Sequence, residues 1–107
     1  MPIRMPQFMG PEFRFKTGAD TFADELAGEA AAALGRMGRG VETALAALRE
    51  GDANGVDPAA RETLLRTAAD AVWRYFVQRE VAGVRSQKDA IAHYAIPKDV
   101  LNRVGAR

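Results

Sequence analysis

Apolar residues recur at three- and four-residue spacing between residues 58 and 82, which predicts an amphipathic central helix. Asp57 is suited to cap its first turn, and Pro58 to occupy the first helical position, where a missing N–H costs nothing. The apolar positions are Leu64, Leu65, Ala68, Ala69, Val72, Trp73, Phe76 and Val77. This stripe is broad, so we expect the helix to be covered from more than one side. The charged residues alternate in sign at four-residue spacing, as on a solvated face: Glu62, Arg66, Asp70 and Arg74.

A second, longer helix is predicted over residues 20–49, with a length of about 45 Å at ~1.5 Å per residue. Thr21 followed by Asp24 fits a capping box at its start, and Gly51 with Asn54-Gly55 supplies a stop and a turn. Its apolar face consists of Phe22, Leu26, Ala30, Ala33, Leu34, Met37, Val41, Leu45 and Leu48.

Glycines interrupt this long helix at Gly35, Gly38 and Gly40. Each costs roughly 0.5–1 kcal/mol relative to alanine inside a helix, so close helix contact or a bend must compensate. Gly28 and Ala32 extend the small residues along the same side as Gly35. We favour close packing there, with the central helix or with a twofold copy of the long helix, over a hinge.

Two short helices are expected after Gly83, over residues 87–94 and 97–104. Ser86 followed by Asp89 fits another capping box, and Pro97 ends one helix and opens the next. The expected fold is all-α, a long antiparallel helix pair capped by two short C-terminal helices. The expected core residues are Leu34, Met37, Val41, Leu45, Leu65, Val72, Trp73, Phe76, Ile91 and Leu101.

At 107 residues, the chain has room for one modest core, and we expect a flexible N-terminal arm over residues 1–19 and a single helical domain over 20–107. No run of apolar residues is long enough to span a membrane, which predicts a soluble protein. The sequence contains no cysteine, which agrees with a reducing cytoplasm. The net charge of +1 gives no general reason to expect a nucleic-acid partner.

Candidate catalytic groups are sparse. His93 has Asp89 four residues earlier as a possible orienting carboxylate, but a surface pair is the simpler interpretation. Glu25 and Glu29 lie one turn apart on an open helix, where both would be hydrated. A single histidine and no cysteine exclude metal sites of the two-histidine or Cys/His kind. We therefore expect no catalytic residues, no cofactor and no enzyme activity.

The segment over residues 90–105 contains the run His93-Tyr94-Ala95-Ile96-Pro97-Lys98 and resembles a pipsqueak-type helix-turn-helix. That resemblance implies that the second helix enters the major groove of DNA. The residues expected at such an interface are Lys98, Asn102, Arg103 and Arg107. Ala95 replaces the turn glycine of the pattern, and Asp99 places a negative charge where phosphates would lie. Two short helices that merely cap the bundle are the alternative interpretation.

Residues 20–105 as a whole resemble a family of small bacterial helical proteins of unknown function. The resemblance rests on the Ala-rich run at 30–38, on 71–73 with 76–80, and on Tyr94, Ile96 and Pro97. The resemblance implies an intact domain, but it implies no activity, ligand or site. We expect a non-catalytic protein-interaction or oligomerisation module, as a homodimer or with an unknown protein partner, and DNA binding through residues 87–105 as the alternative.

Overall fold

A computed structural model describes residues 17–106, which form four helices and no strand. The two long helices are α1, Gly18–Ala53, and α2, Pro58–Val81. The two short ones are α3, Lys88–Tyr94, and α4, Lys98–Leu101. The predicted all-α class is confirmed. The predicted N-terminal arm lies outside the described residues as far as residue 16, and its last two residues already belong to α1.

The start of α1 lies one turn earlier than predicted. Thr17 is the N-cap, and its hydroxyl accepts a hydrogen bond from the Asp20 N–H at 3.1 Å. The Thr17 N–H in turn donates to the Asp20 carboxylate at 3.3 Å, which completes a capping box. The box predicted at Thr21 and Asp24 is therefore wrong, because an identical pattern one turn upstream takes the cap and the Thr21 hydroxyl donates to the Thr17 carbonyl.

The turn between the long helices lies at Asn54-Gly55 as predicted, but α1 ends four residues later than the predicted residue 49, because Gly51 packs inside the helix instead of stopping it. α1 passes through Gly51 and ends at Ala53, and Gly55 then adopts a left-handed φ of 65°. Asp57 caps α2, its carboxylate accepting a hydrogen bond from the Ala60 N–H at 2.8 Å. The chain thus reverses in a few residues, and α2 runs back along α1.

Both short helices are shorter than predicted. The capping box expected at Ser86 and Asp89 does not form: the N-cap is Gln87, without a side-chain cap, and the Ser86 hydroxyl accepts from the Lys88 N–H at 3.4 Å. Ala95 then adopts φ 51° and ψ 51°, a left-handed conformation that ends α3. α4 contains four residues, and turns follow it up to residue 105.

The core lies between the C-terminal half of α1 and α2, with α3 and α4 against the same side. The buried apolar residues are Val41, Ala44, Leu45, Leu48, Leu65, Ala68, Ala69, Val72, Tyr75, Ala90, Ile96 and Val100. Trp73 was expected in this core, but 38% of its surface is exposed. The face of α2 that packs on α1 carries Tyr75, which lies beside Gly38. Trp73 lies instead at the edge of the helix pair, beside Gly105 of the C-terminal turn.

The glycines of α1 have different surroundings. A Cβ at Gly38 would lie 2.5 Å from the Tyr94 hydroxyl oxygen, so the close contact expected at this glycine is present, with α3. A Cβ at Gly51 would meet Leu64, a close contact that was not predicted because Gly51 was expected to end the helix. Gly28 has nothing within 4 Å, and Gly35 meets only Arg39 of its own helix. Close packing of α2 along Gly28 and Gly35 is therefore wrong, and packing of a twofold copy there stays a prediction. α1 is one continuous helix without a hinge.

Candidate interaction surface

α1 extends well beyond the helix that covers it. It contains 36 residues and α2 contains 24, a difference of about 18 Å at ~1.5 Å per residue. Residues 18–32, called here the free end of α1, are exposed except for Asp20 and Ala30, which are half-buried. The first fully buried residue of the helix is Gly38. About four turns of α1 therefore stand outside the core.

The free end carries large apolar side chains on one face. Phe22 is 61% exposed and Leu26 is 53% exposed. Ala30, Ala33 and Met37 follow at four- and three-residue spacing and therefore lie on the same side of the helix. Met37 already packs against the core. The apolar stripe that forms the core in one half of α1 thus continues uncovered along the other half.

A shallow groove between α1 and α2 continues the line of this stripe. On α1 it is lined by Gly40, Thr43, Ala44 and Ala47, which extend the three- and four-residue spacing from Met37. On α2 it is lined by Thr67, Asp70, Ala71 and Arg74, and its volume is about 430 Å³. Most of these side chains are small, and a Cβ at Gly40 would meet open space. We call this feature the small-residue groove.

Charge is distributed unevenly along α1. Its acidic residues before position 30 are Asp20, Asp24, Glu25 and Glu29, and its first basic residue is Arg36. Glu29 and Arg36 are both exposed and lie seven residues apart, almost two full turns, so they border the apolar stripe on the same flank. Within residues 17–106, neither forms an ion pair.

Arg103, the central residue of the proposed DNA interface, is committed to the fold. Its Nε and Nη2 donate to the two oxygens of Glu62 at 2.9 and 2.8 Å, and its Nη1 donates to the Asp99 carbonyl at 2.7 Å. The hydrogen bond from Arg103 lowers the pKa of Glu62, and the same contact raises the pKa of Arg103. This bidentate pair fixes the C-terminal turn to α2, which leaves the guanidinium poorly placed to bind phosphate.

The other residues of that interface do not form a basic face with Arg103. Lys98 and Asn102 are exposed one turn apart at α4, and Arg107 lies outside the described residues. Asp99 beside them lies 3.7 Å from Arg61, which also binds Asp52 at 2.7 Å and thereby lowers the pKa of Asp52. A four-residue helix is also short for an element that must span a major groove. Ala95, which replaces the turn glycine of the pattern, does adopt a left-handed conformation of the kind that glycine favours.

The candidate catalytic residues are not assembled into a site. The His93 ring stands edge-on to Tyr94 at 4.6 Å and borders an open groove with Glu42, Ala46 and Arg49. No hydrogen bond among the described residues joins His93 to Asp89. Over residues 17–106, no group of three or more histidine, cysteine or carboxylate side chains is arranged to hold a metal ion. No helix in that range is long and apolar enough to cross a membrane.

A cluster around Tyr75 and Tyr94 was not predicted as a unit. The two rings meet edge to face at 5.5 Å, and the Arg79 guanidinium lies 5.6 Å from the Tyr75 ring. Burial raises the pKa of Tyr94, and Tyr75 and Glu42 add to that rise. Arg79 also donates to the Gln87 side chain at 2.7 Å and to the Ser86 carbonyl at 3.2 Å. The cluster joins α1, α2 and α3. The sequence indicated only one part of it, the close contact at Gly38, because a glycine inside a helix suggests close packing.

Comparison with known proteins identifies one family. The sequence profile of a family of unknown function, DUF6665, matches residues 9–107. No curated protein and no solved structure matches the chain. The family match gives no support to the resemblance between residues 90–105 and a helix-turn-helix.

Proposed function

We propose that this chain, which belongs to the DUF6665 family, is a non-catalytic interaction module that binds another protein surface through the free end of α1. The observation that carries the proposal is the exposure of Phe22 and Leu26 on a segment of α1 that no other helix covers within residues 17–106. The cysteine-free sequence agrees with a cytoplasmic setting.

The energetics of the free end support a role in binding. Burying a phenylalanine or leucine side chain contributes about 1.5–3 kcal/mol, so Phe22 and Leu26 together offer several kcal/mol to a partner. An isolated helix of about 15 residues is marginal in water, but this segment extends a helix already nucleated by the core. A preformed apolar surface is therefore available, and docking on it costs little ordering of the backbone.

The proposal can be tested by site-specific photocrosslinking of the full chain in the cells that produce it. A photoreactive residue at Leu26 lies on the apolar stripe, and one at Ala31 is also exposed, on the other side of the same helix. We expect defined protein adducts from position 26 and few from position 31. Equal adduct formation at both positions, or none at either, would contradict the proposal.

A further inference from the structure

We propose that the protein surface bound by the free end of α1 belongs to a second copy of this chain, whose α1 runs antiparallel to the first. The inference rests on the proposed function and names the partner. A twofold axis between Ala32 and Ala33 places the free end of each copy along the small-residue groove of the other. Two equivalent contact regions then form, as in any isologous dimer.

The register follows from the spacing of α1. With the axis between Ala32 and Ala33, Phe22 faces Thr43 of the second copy, and Leu26 faces the interval between Met37 and Gly40. Phe22 of one copy thus meets the short side chain of Thr43 of the other, and Leu26 lies beside Gly40, which has no side chain. Gly40 has open space around it, and the groove of about 430 Å³ has room for an aromatic ring. Close approach of the two helices at such small residues is what a tight helix pair requires.

Charge complementarity selects the antiparallel direction. In this register Glu29 of each copy faces Arg36 of the other, so the dimer contains two equivalent ion pairs. A parallel pair in the same register would set Glu29 against Glu29 and Arg36 against Arg36, with like charges in contact. Both side chains are exposed and form no ion pair within the described residues, so they remain available for this contact.

The experiment is sedimentation equilibrium of the purified full chain together with two charge variants. We expect the unmodified chain to dimerise. Glu29→Arg creates two Arg–Arg contacts in a homodimer, and Arg36→Glu creates two Glu–Glu contacts. Each variant alone should dimerise more weakly by roughly tenfold or more, since two ion pairs become two like-charge contacts.

Mixing the two variants is the control that separates a loss of the ion pairs from a general loss of folding, because misfolded variants would not recover dimerisation when mixed. In the mixed dimer, one contact pairs the introduced arginine with the introduced glutamate, and the other keeps the original pairing of Glu29 with Arg36. The heterodimer should therefore recover the affinity of the unmodified protein, and the double variant should recover it as a homodimer. Thr43→Arg, an exposed change within the groove, should weaken dimerisation, and Ala31→Arg on the other side of α1 should not.

Three results would overturn the inference. They are a monomer at all accessible concentrations, charge variants that dimerise as well as the unmodified chain, and a mixture that does not recover. If Leu26 nevertheless crosslinks selectively to a different protein, the proposed interaction function stands and only the identity of the partner is wrong. Absence of both dimer and selective crosslinks would remove both proposals.

Discussion

The contact between Gly38 and Tyr94 can be tested by substitution, and a single oxygen atom decides whether an alanine at position 38 stabilises or destabilises the fold. An alanine Cβ at position 38 would lie 2.5 Å from the Tyr94 hydroxyl oxygen but 3.5 Å from the ring carbon that bears it. The first distance forces a displacement, whereas the second is an ordinary contact. Tyr94 cannot move freely, because its ring packs edge to face against Tyr75. We therefore expect Gly38→Ala to destabilise the fold, although alanine is the better helix former.

The magnitude follows from two opposing terms. Replacing a helical glycine by alanine stabilises by about 0.5–1 kcal/mol where space is free. Overpacking a filled site costs about 1–3 kcal/mol. Gly38→Ala should thus lower the free energy of unfolding by about 1–2 kcal/mol, whereas Gly28→Ala, which meets open space on the side of α1 away from the apolar stripe, should raise it by about 0.5–1 kcal/mol.

A double-mutant cycle isolates the effect of the Tyr94 hydroxyl oxygen on the stability change. In a Tyr94→Phe background the clashing atom is gone, so Gly38→Ala should become stabilising by about 0.5–1 kcal/mol. The coupling between the two positions is then roughly 2 kcal/mol, well above the non-additivity of distant sites. Urea denaturation followed by helical ellipticity measures all four proteins. If Gly38→Ala stabilises the unmodified protein as much as Gly28→Ala does, Tyr94 does not pack closely against Gly38.

Two further changes test the C-terminal part of the fold. Ala95→Gly should raise the free energy of unfolding by about 0.5–1 kcal/mol, because glycine adopts the left-handed φ of 51° without strain. As a control, Ala92→Gly inside α3 should lower the free energy of unfolding. A lower melting temperature for Ala95→Gly would contradict the turn geometry. The pKa of Glu62 is lowered in the folded state, so its contribution to stability is present above the ordinary glutamate range and is lost as pH falls through the depressed folded-state pKa. Acid unfolding should therefore be less steep in Glu62→Gln than in the unmodified chain, and identical pH profiles would refute the role of the Arg103 contact.

Much of the fold could be predicted from local signals. The cap at Asp57, the turn at Asn54-Gly55 and the break before Pro97 each depend on the conformational preference of one or two residues, and each lies where expected. The cap of α1 was misplaced because Thr17 and Asp20 repeat the pattern of Thr21 and Asp24 one turn earlier. Local preference cannot choose between two equivalent caps when the alanine-rich helix tolerates either start.

The DNA interface could not be judged from the sequence, because its central residue has a partner 41 positions away. Arg103 and Glu62 form their bidentate pair only once α2 and the C-terminal turn have packed together. In the sequence, Glu62 looked like one member of a solvated ladder along α2. Its ion pair with Arg66 at 3.0 Å does form, so the ladder and the contact with Arg103 share one carboxylate. Only the tertiary structure distinguishes a free basic residue from one that holds two elements together.

Whether an apolar residue of α1 belongs to the core or to a surface depends on helix length rather than on hydrophobicity. Phe22 and Leu26 fit the same periodic stripe as Val41 and Leu45, yet the first two are exposed and the last two are buried. The turn at Asn54-Gly55 sets where α2 begins beside α1, and the end of α2 at Val81 sets how far it reaches. Beyond that point the stripe has no neighbour within residues 17–106. The difference between 36 and 24 residues is thus the feature that leaves the first part of a core-forming helix as an exposed apolar surface.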